Sequence, residues 1–98
     1  MKVTQIYCGC ISAAGSEEEM ATLVRLLASE CFPQGHTLIE ATGRWYGPIS
    51  GTIDERTIIV EVWDAGSAPV AQFARKYKNL AEQESVVILE KHCDAVVL

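Results

Sequence analysis

The sequence predicts one α+β domain over residues 1–98, a four-stranded antiparallel sheet with two helices on one face. Three observations lead there. Two segments repeat apolar residues at steps of three and four. Four others are rich in β-branched and aromatic residues, and the order along the chain is β-α-β-β-α-β. At 98 residues the chain can bury one hydrophobic core without a metal or a disulfide staple.

The first strand is expected over 3–11, Val-Thr-Gln-Ile-Tyr-Cys-Gly-Cys-Ile, on its β-branched and aromatic content. Ser12-Ala13-Ala14-Gly15 is a loop, and Ser16 opens a helix. Ser16 and Glu19 have capping-box spacing, and three Glu in the first turn suit the helix dipole. Its apolar stripe is Met20, Leu23, Val24, Leu27 and Cys31, and Pro33 and Gly35 end it. A second strand over 36–45 and a third over 57–63 flank the turn residues Gly47-Pro48-Ile49-Ser50-Gly51. Ser67 is the expected cap of a second helix, with Pro69 in its first turn and Val70, Phe73, Ala74, Tyr77, Leu80 and Ala81 on its stripe. The last strand is expected over 85–93. This order is the split βαβ motif of ferredoxin-like domains, with expected strand order 4-1-3-2.

That topology carries two consequences. In the third strand Ile58, Val60 and Val62 point one way and Thr57, Ile59, Glu61 and Trp63 the other, so both faces are largely apolar. Two helices can cover only one of them. A homodimer packed sheet to sheet, or a lid supplied by a partner, is therefore expected. The topology also gathers Cys10, Ser12, Arg44, Trp45, Tyr46, Glu55, Arg56, Gln83, Glu84 and Ser85 at one end of the sheet. His36, Asp64, His92 and Cys93 fall at the other.

Net charge is −5 and the isoelectric point is near 4.9, which disfavours a nucleic-acid binder that needs a basic face. No apolar run approaches the roughly 20 residues of a membrane span, so the cytoplasm is the expected compartment. Cys8, Cys10 and Cys93 beside His92 could suggest a metal. Antiparallel pairing of the outer strands would put Cys93 roughly 15–20 Å from the other two, at about 3.4 Å per residue. The cysteines are read as small apolar residues, reduced in the cytoplasm, with no metal and no cofactor. No nucleophile–base pair is evident, since His36 and His92 sit far from Cys8 and Cys10. Arg75, Lys76 and Lys78 read as a solvated helix face. Arg44-Trp45-Tyr46 is more informative, because a guanidinium beside aromatics can clamp an anionic or planar ligand.

Several short blocks follow one another in order: Tyr7-Cys8-Gly9, Phe32-Pro33-Gln34-Gly35-His36-Thr37, Ala41-Thr42-Gly43-Arg44-Trp45, Ile53-Asp54-Glu55, Tyr77, and Gln83-Glu84-Ser85-Val86. Together they resemble the domain-of-unknown-function family numbered 3574 over nearly the whole chain. Two departures stand out: Cys8 occupies a position more usually aromatic, and the leader of many secreted or lipid-anchored members is not seen here. The resemblance implies the same fold, carries no activity, and matches Tyr7, Gly9, Gly43, Trp45, Glu55, Tyr77, Gln83, Glu84 and Ser85 to the family pattern.

The sequence leads to a non-enzymatic, homodimeric domain that binds, and could sequester, a small polar or anionic ligand. Tyr7, Arg44, Trp45, Glu55, Arg56, Gln83, Glu84 and Ser85 are its candidate ligand-binding residues. One alternative is a cofactor-independent enzyme with a cavity at a dimeric interface, using Tyr7, His36 or Glu84 as acid or base. Another is a small acidic inhibitor that occupies a partner's basic groove.

Overall fold

A computed structural model describes residues 1–49 and 51–98. The elements are β1 (Lys2–Gly9), α1 (Glu17–Cys31), β2 (Thr37–Gly47), β3 (Gly51–Trp63), α2 (Ser67–Leu80) and β4 (Val87–His92). All pairings are antiparallel, in the order β2-β3-β1-β4, so the expected ferredoxin-like topology is what the chain adopts.

α1 starts where its side chains dictate. Ser16 caps Glu19 N–H at 3.1 Å, and the Glu19 carboxylate takes the Ser16 N–H at 3.0 Å. α2 starts differently from expectation. Gly66 is its N-cap and makes no side-chain cap bond, and Ser67 is already the first helical residue. Pro69 tolerates this first turn because its missing N–H would be unpaired there anyway.

The core lies between the helices and one sheet face. Ile6 and Cys8 of β1, Ile58, Val60 and Val62 of β3, Val24 and Leu27 of α1, and Phe73 and Tyr77 of α2 are all buried. Phe73 sits between Phe32 and Tyr77, with ring centroids 5.7 Å and 6.4 Å away. Leu80, expected on the buried stripe, is instead exposed near the end of α2.

β3 begins six residues earlier than the sequence suggests, at Gly51, which has φ 74° and no side chain to strain. Ser50 of the expected turn lies outside the described residues. β2 also runs on, to Gly47. Beyond the Gly9–Thr57 pair, residues Gly43–Gly47 and Gly51–Glu55 form a two-stranded arm that projects past β1. The arm buries neither face, so Thr52, Asp54 and Arg56 give no apolar signature, and this is why it escapes a sequence reading.

Among the described residues no helix covers the other sheet face. Ile39, Trp63, Val87 and Leu89 are exposed on it, interrupted by Gln5 donating to Glu61 at 2.8 Å. Cys93 N–H bonds Met1 C=O at 2.9 Å, at the opposite end of the sheet from Cys10. No helix among the described residues is long and apolar enough to cross a membrane.

Candidate functional site

Strand alternation decides which side chains can meet. On the helix-free face, Tyr7 pairs with Ile59 and Val87, Gly9 with Thr57, Glu55 with Gly43, and Trp45 with Ile53. The projecting arm forms one bank of a groove on this face, and the α2–β4 connection forms the other. The end of β1 is its floor. The cavity holds about 470 Å³ and is lined by Tyr7, Gly9, Trp45, Glu55, Gln83 and Glu84, among others.

Glu55 lies at the centre. Its Oε2 accepts the Ile11 N–H at 3.2 Å. Its carboxylate rests flat against Gly9: a Cβ there would stand 2.5 Å from Oε1 and 2.8 Å from Cδ. Only glycine admits that approach. On the other side of the sheet, the Gly9 carbonyl accepts a hydrogen bond from the Tyr77 hydroxyl. Burial raises the Tyr77 phenol well above its usual range, with the nearby Cys8 and Cys10 thiols adding to the rise.

Trp45 lies along the arm over Gly43 and Thr57. A Cβ on Gly43 would stand 2.7 Å from Trp45 Nε1 and 2.8 Å from Thr57 Oγ1. The Thr57 hydroxyl is buried and has no hydrogen-bond partner among the described residues. Beneath the far bank, Gln83 Nε2 donates to Ile11 C=O at 2.9 Å and to Ala81 C=O at 3.3 Å. The Ser12 hydroxyl donates to the same Ala81 carbonyl and accepts from Ala14 N–H at 2.9 Å. These bonds fasten the loop after β1 to the end of α2. Glu82, at φ 50°, takes the left-handed turn that carries the chain from α2 into the groove wall.

Six of the eight sequence-derived candidates line this groove: Tyr7, Trp45, Glu55, Gln83, Glu84 and Ser85. Arg44 and Arg56 do not. Each follows or precedes a groove residue by one position, so alternation turns it to the helix side. Arg44 forms a fork with Asp54, at 2.6 and 3.1 Å. Arg56 holds Glu40 at 2.9 and 2.7 Å and reaches Glu18 of α1 at 2.7 Å. Glu82 and Val87 join the lining and were not candidates. Val87 follows from antiparallel register with Tyr7, which the sequence fixes only once the strand ends are known.

The remaining reactive groups lie elsewhere. Cys8 and Cys10 face the core, and burial raises both thiols, Cys8 far above its ordinary range. His36 is at the opposite end, its Nδ1 3.0 Å from Phe32 C=O. Among the described residues, no group of three or more His, Cys, Asp or Glu is placed to hold a metal ion.

Comparison with known proteins adds a family and a set of similar folds. A family described as "Protein of unknown function (DUF3574)" matches residues 4–96. A phage SAM lyase in complex with S-methyl-5'-thioadenosine is similar with TM-score 0.72 at 14% identity, covering 92% of this chain and 79% of its own. The same lyase in the apo state gives 0.61 at 11%, covering 92% and 78%. CutA1 from Pyrococcus horikoshii gives 0.54 at 12%, covering 99% and 87%. At these identities the likeness is one of fold. No functionally curated protein matches the chain by sequence.

Proposed function

The chain belongs to the DUF3574 family of proteins of unknown function, and from that premise we propose that it is a non-enzymatic domain that binds a small polar ligand in the groove beside Glu55. One observation carries this reading. Polar and aromatic side chains from the arm, from β1 and from the α2–β4 connection converge on one cavity of about 470 Å³, a size suited to a small molecule. Cys8 and Cys10 are buried on the other face and His36 is bonded at the other end, so of the acid–base candidates only Tyr7 and Glu84 reach the groove, with no thiol beside them among the described residues.

We place a second copy over the helix-free face. Exposed Ile39, Trp63, Val87 and Leu89 give it an apolar surface to cover. A standard interface needs about 800 Å² per partner. That is about one-eighth of this chain's 6174 Å². Four free cysteines suit a reducing compartment, so the cytoplasm is the proposed location.

Native mass spectrometry of protein purified from its source tests both parts at once. A retained small molecule and a dimeric mass are expected. A bare monomer at micromolar concentration, with no thermal shift from a panel of nucleotides, amines and small acids, would remove the proposal.

A second reading puts chemistry in the same groove, and the likeness to a phage SAM lyase favours it. Incubation with S-adenosylmethionine, followed by chromatography, separates the two. Turnover would make the domain an enzyme, and binding without turnover would leave it a binder.

A further inference from the structure

We propose that the groove takes a small organic cation, an onium group held against Glu55 and faced by Trp45 and Tyr7; this rests on the groove being a ligand site. The charge arrangement points to it. Glu55, Glu82 and Glu84 line the cavity, and among the described residues no Lys or Arg does. Among the described residues none of the three forms an ion pair, although Arg25, Arg44, Arg56 and Lys76 are all paired with other carboxylates. The two arginines nearest in sequence are held on the opposite side of the sheet by carboxylates. An anion entering this groove would meet uncompensated carboxylates from both banks and, among the described residues, no lining cation.

The second observation concerns Glu55 alone. It is half-buried, and its carboxylate reaches from the arm onto Gly9 in the groove floor. Its Oε2 is held by the Ile11 amide, while no donor among the described residues reaches Oε1. A half-buried carboxylate with one unused oxygen is poised for a charged partner. The aromatics supply the remainder. Trp45 and Tyr46 stand exposed along the arm, and Tyr7 lies in the floor two residues from Gly9. Ring faces attract cations through their quadrupole, and they do so most when the cation is partly desolvated. Carboxylate and rings together favour a low-charge-density organic cation over a hydrated metal ion, which would keep its water. The apolar members Ile11, Ile53 and Val87 fit the hydrocarbon body of such a ligand.

Three probes of one shape test the charge. Choline, 3,3-dimethyl-1-butanol and 3,3-dimethylbutanoate are a cation, a neutral molecule and an anion of nearly equal size. They are titrated into full-length Trp63→Phe protein, with Trp45 fluorescence as the readout. Choline should bind at least about tenfold more tightly than the alcohol, and the butanoate should bind least. Glu55→Gln should reduce choline affinity about tenfold and leave the alcohol unchanged. Glu84→Gln, at an exposed position where folding is not at stake, should reduce it less and in the same direction. Rising salt should weaken choline alone. Equal affinity for all three, or tighter butanoate, overturns the cation and leaves the groove as a ligand site. No response from any probe also overturns it, and the retained-ligand measurement then decides the binding reading separately.

Discussion

Gly9→Ala is the sharpest perturbation, because one added methyl would push on the centre of the groove. The new Cβ would lie 2.5 Å from Glu55 Oε1, where ordinary contact begins at 3.4 Å, so the carboxylate must retreat by about 0.9 Å (3.4 − 2.5). That retreat breaks the 3.2 Å bond from the Ile11 amide. Loss of one such bond costs about 1 kcal/mol. Gly9 has no positive φ, so alanine is otherwise compatible there and returns about 0.5 kcal/mol through the unfolded state. The net effect in the parent is about 0.5 kcal/mol destabilising. In a Glu55→Ala background the clash is gone, and the same substitution should stabilise by about 0.5 kcal/mol. Urea denaturation of the four proteins closes the cycle, with an expected coupling of about 1 kcal/mol. An equal effect of Gly9→Ala in both backgrounds would show that the carboxylate does not rest on Gly9.

Three further perturbations have expected outcomes. Thr57→Val removes a buried hydroxyl that has no partner among the described residues and should raise stability by about 1 kcal/mol, or about 4–8 °C in thermal midpoint; a fall would mean that the hydroxyl is satisfied in solution. The Arg56 guanidinium holds the Glu18 and Glu40 carboxyls below their ordinary 4.5, so their contribution is complete above pH 4.5 and fades as pH falls through the depressed values. Arg56→Met should flatten the stability profile on that acid side, read by thermal melts from pH 6 to 3, and an unchanged slope would refute the assignment. Burial raises the Cys8 and Cys10 thiols, so a thiol reagent at neutral pH should label partly exposed Cys93 first and leave Cys8 unmodified until the protein unfolds, as peptide mapping would show.

Elements with an apolar stripe or run were legible in the sequence, β4 among them although all its residues are exposed, and the arm was not. The steps of Met20, Val24 and Leu27 and the Ser16–Glu19 box placed α1 to within a residue. The topology followed from element order alone. The arm was invisible because Thr52–Arg56 alternates nothing: its side chains are exposed or half-exposed on both sides. For the site, topology correctly gathered the strand ends, while adjacency misled. Glu55 and Arg56, like Arg44 and Trp45, are neighbours in sequence and cannot share a strand face. Which member of each pair faces the helices follows only once Ile58, Val60 and Val62 are known to be the buried set and the β2–β3 register is known.

At Gly9 the protein is as thin as a protein can be. A phenol from the core holds the peptide from below, and a carboxylate rests on it from above, with only backbone between. Whatever neutralises Glu55 from outside is therefore felt one peptide plane away by a hydroxyl that solvent cannot reach. Tyr77 should act as a built-in gauge of occupancy, its vibrational frequency changing when the groove fills although it never touches the guest.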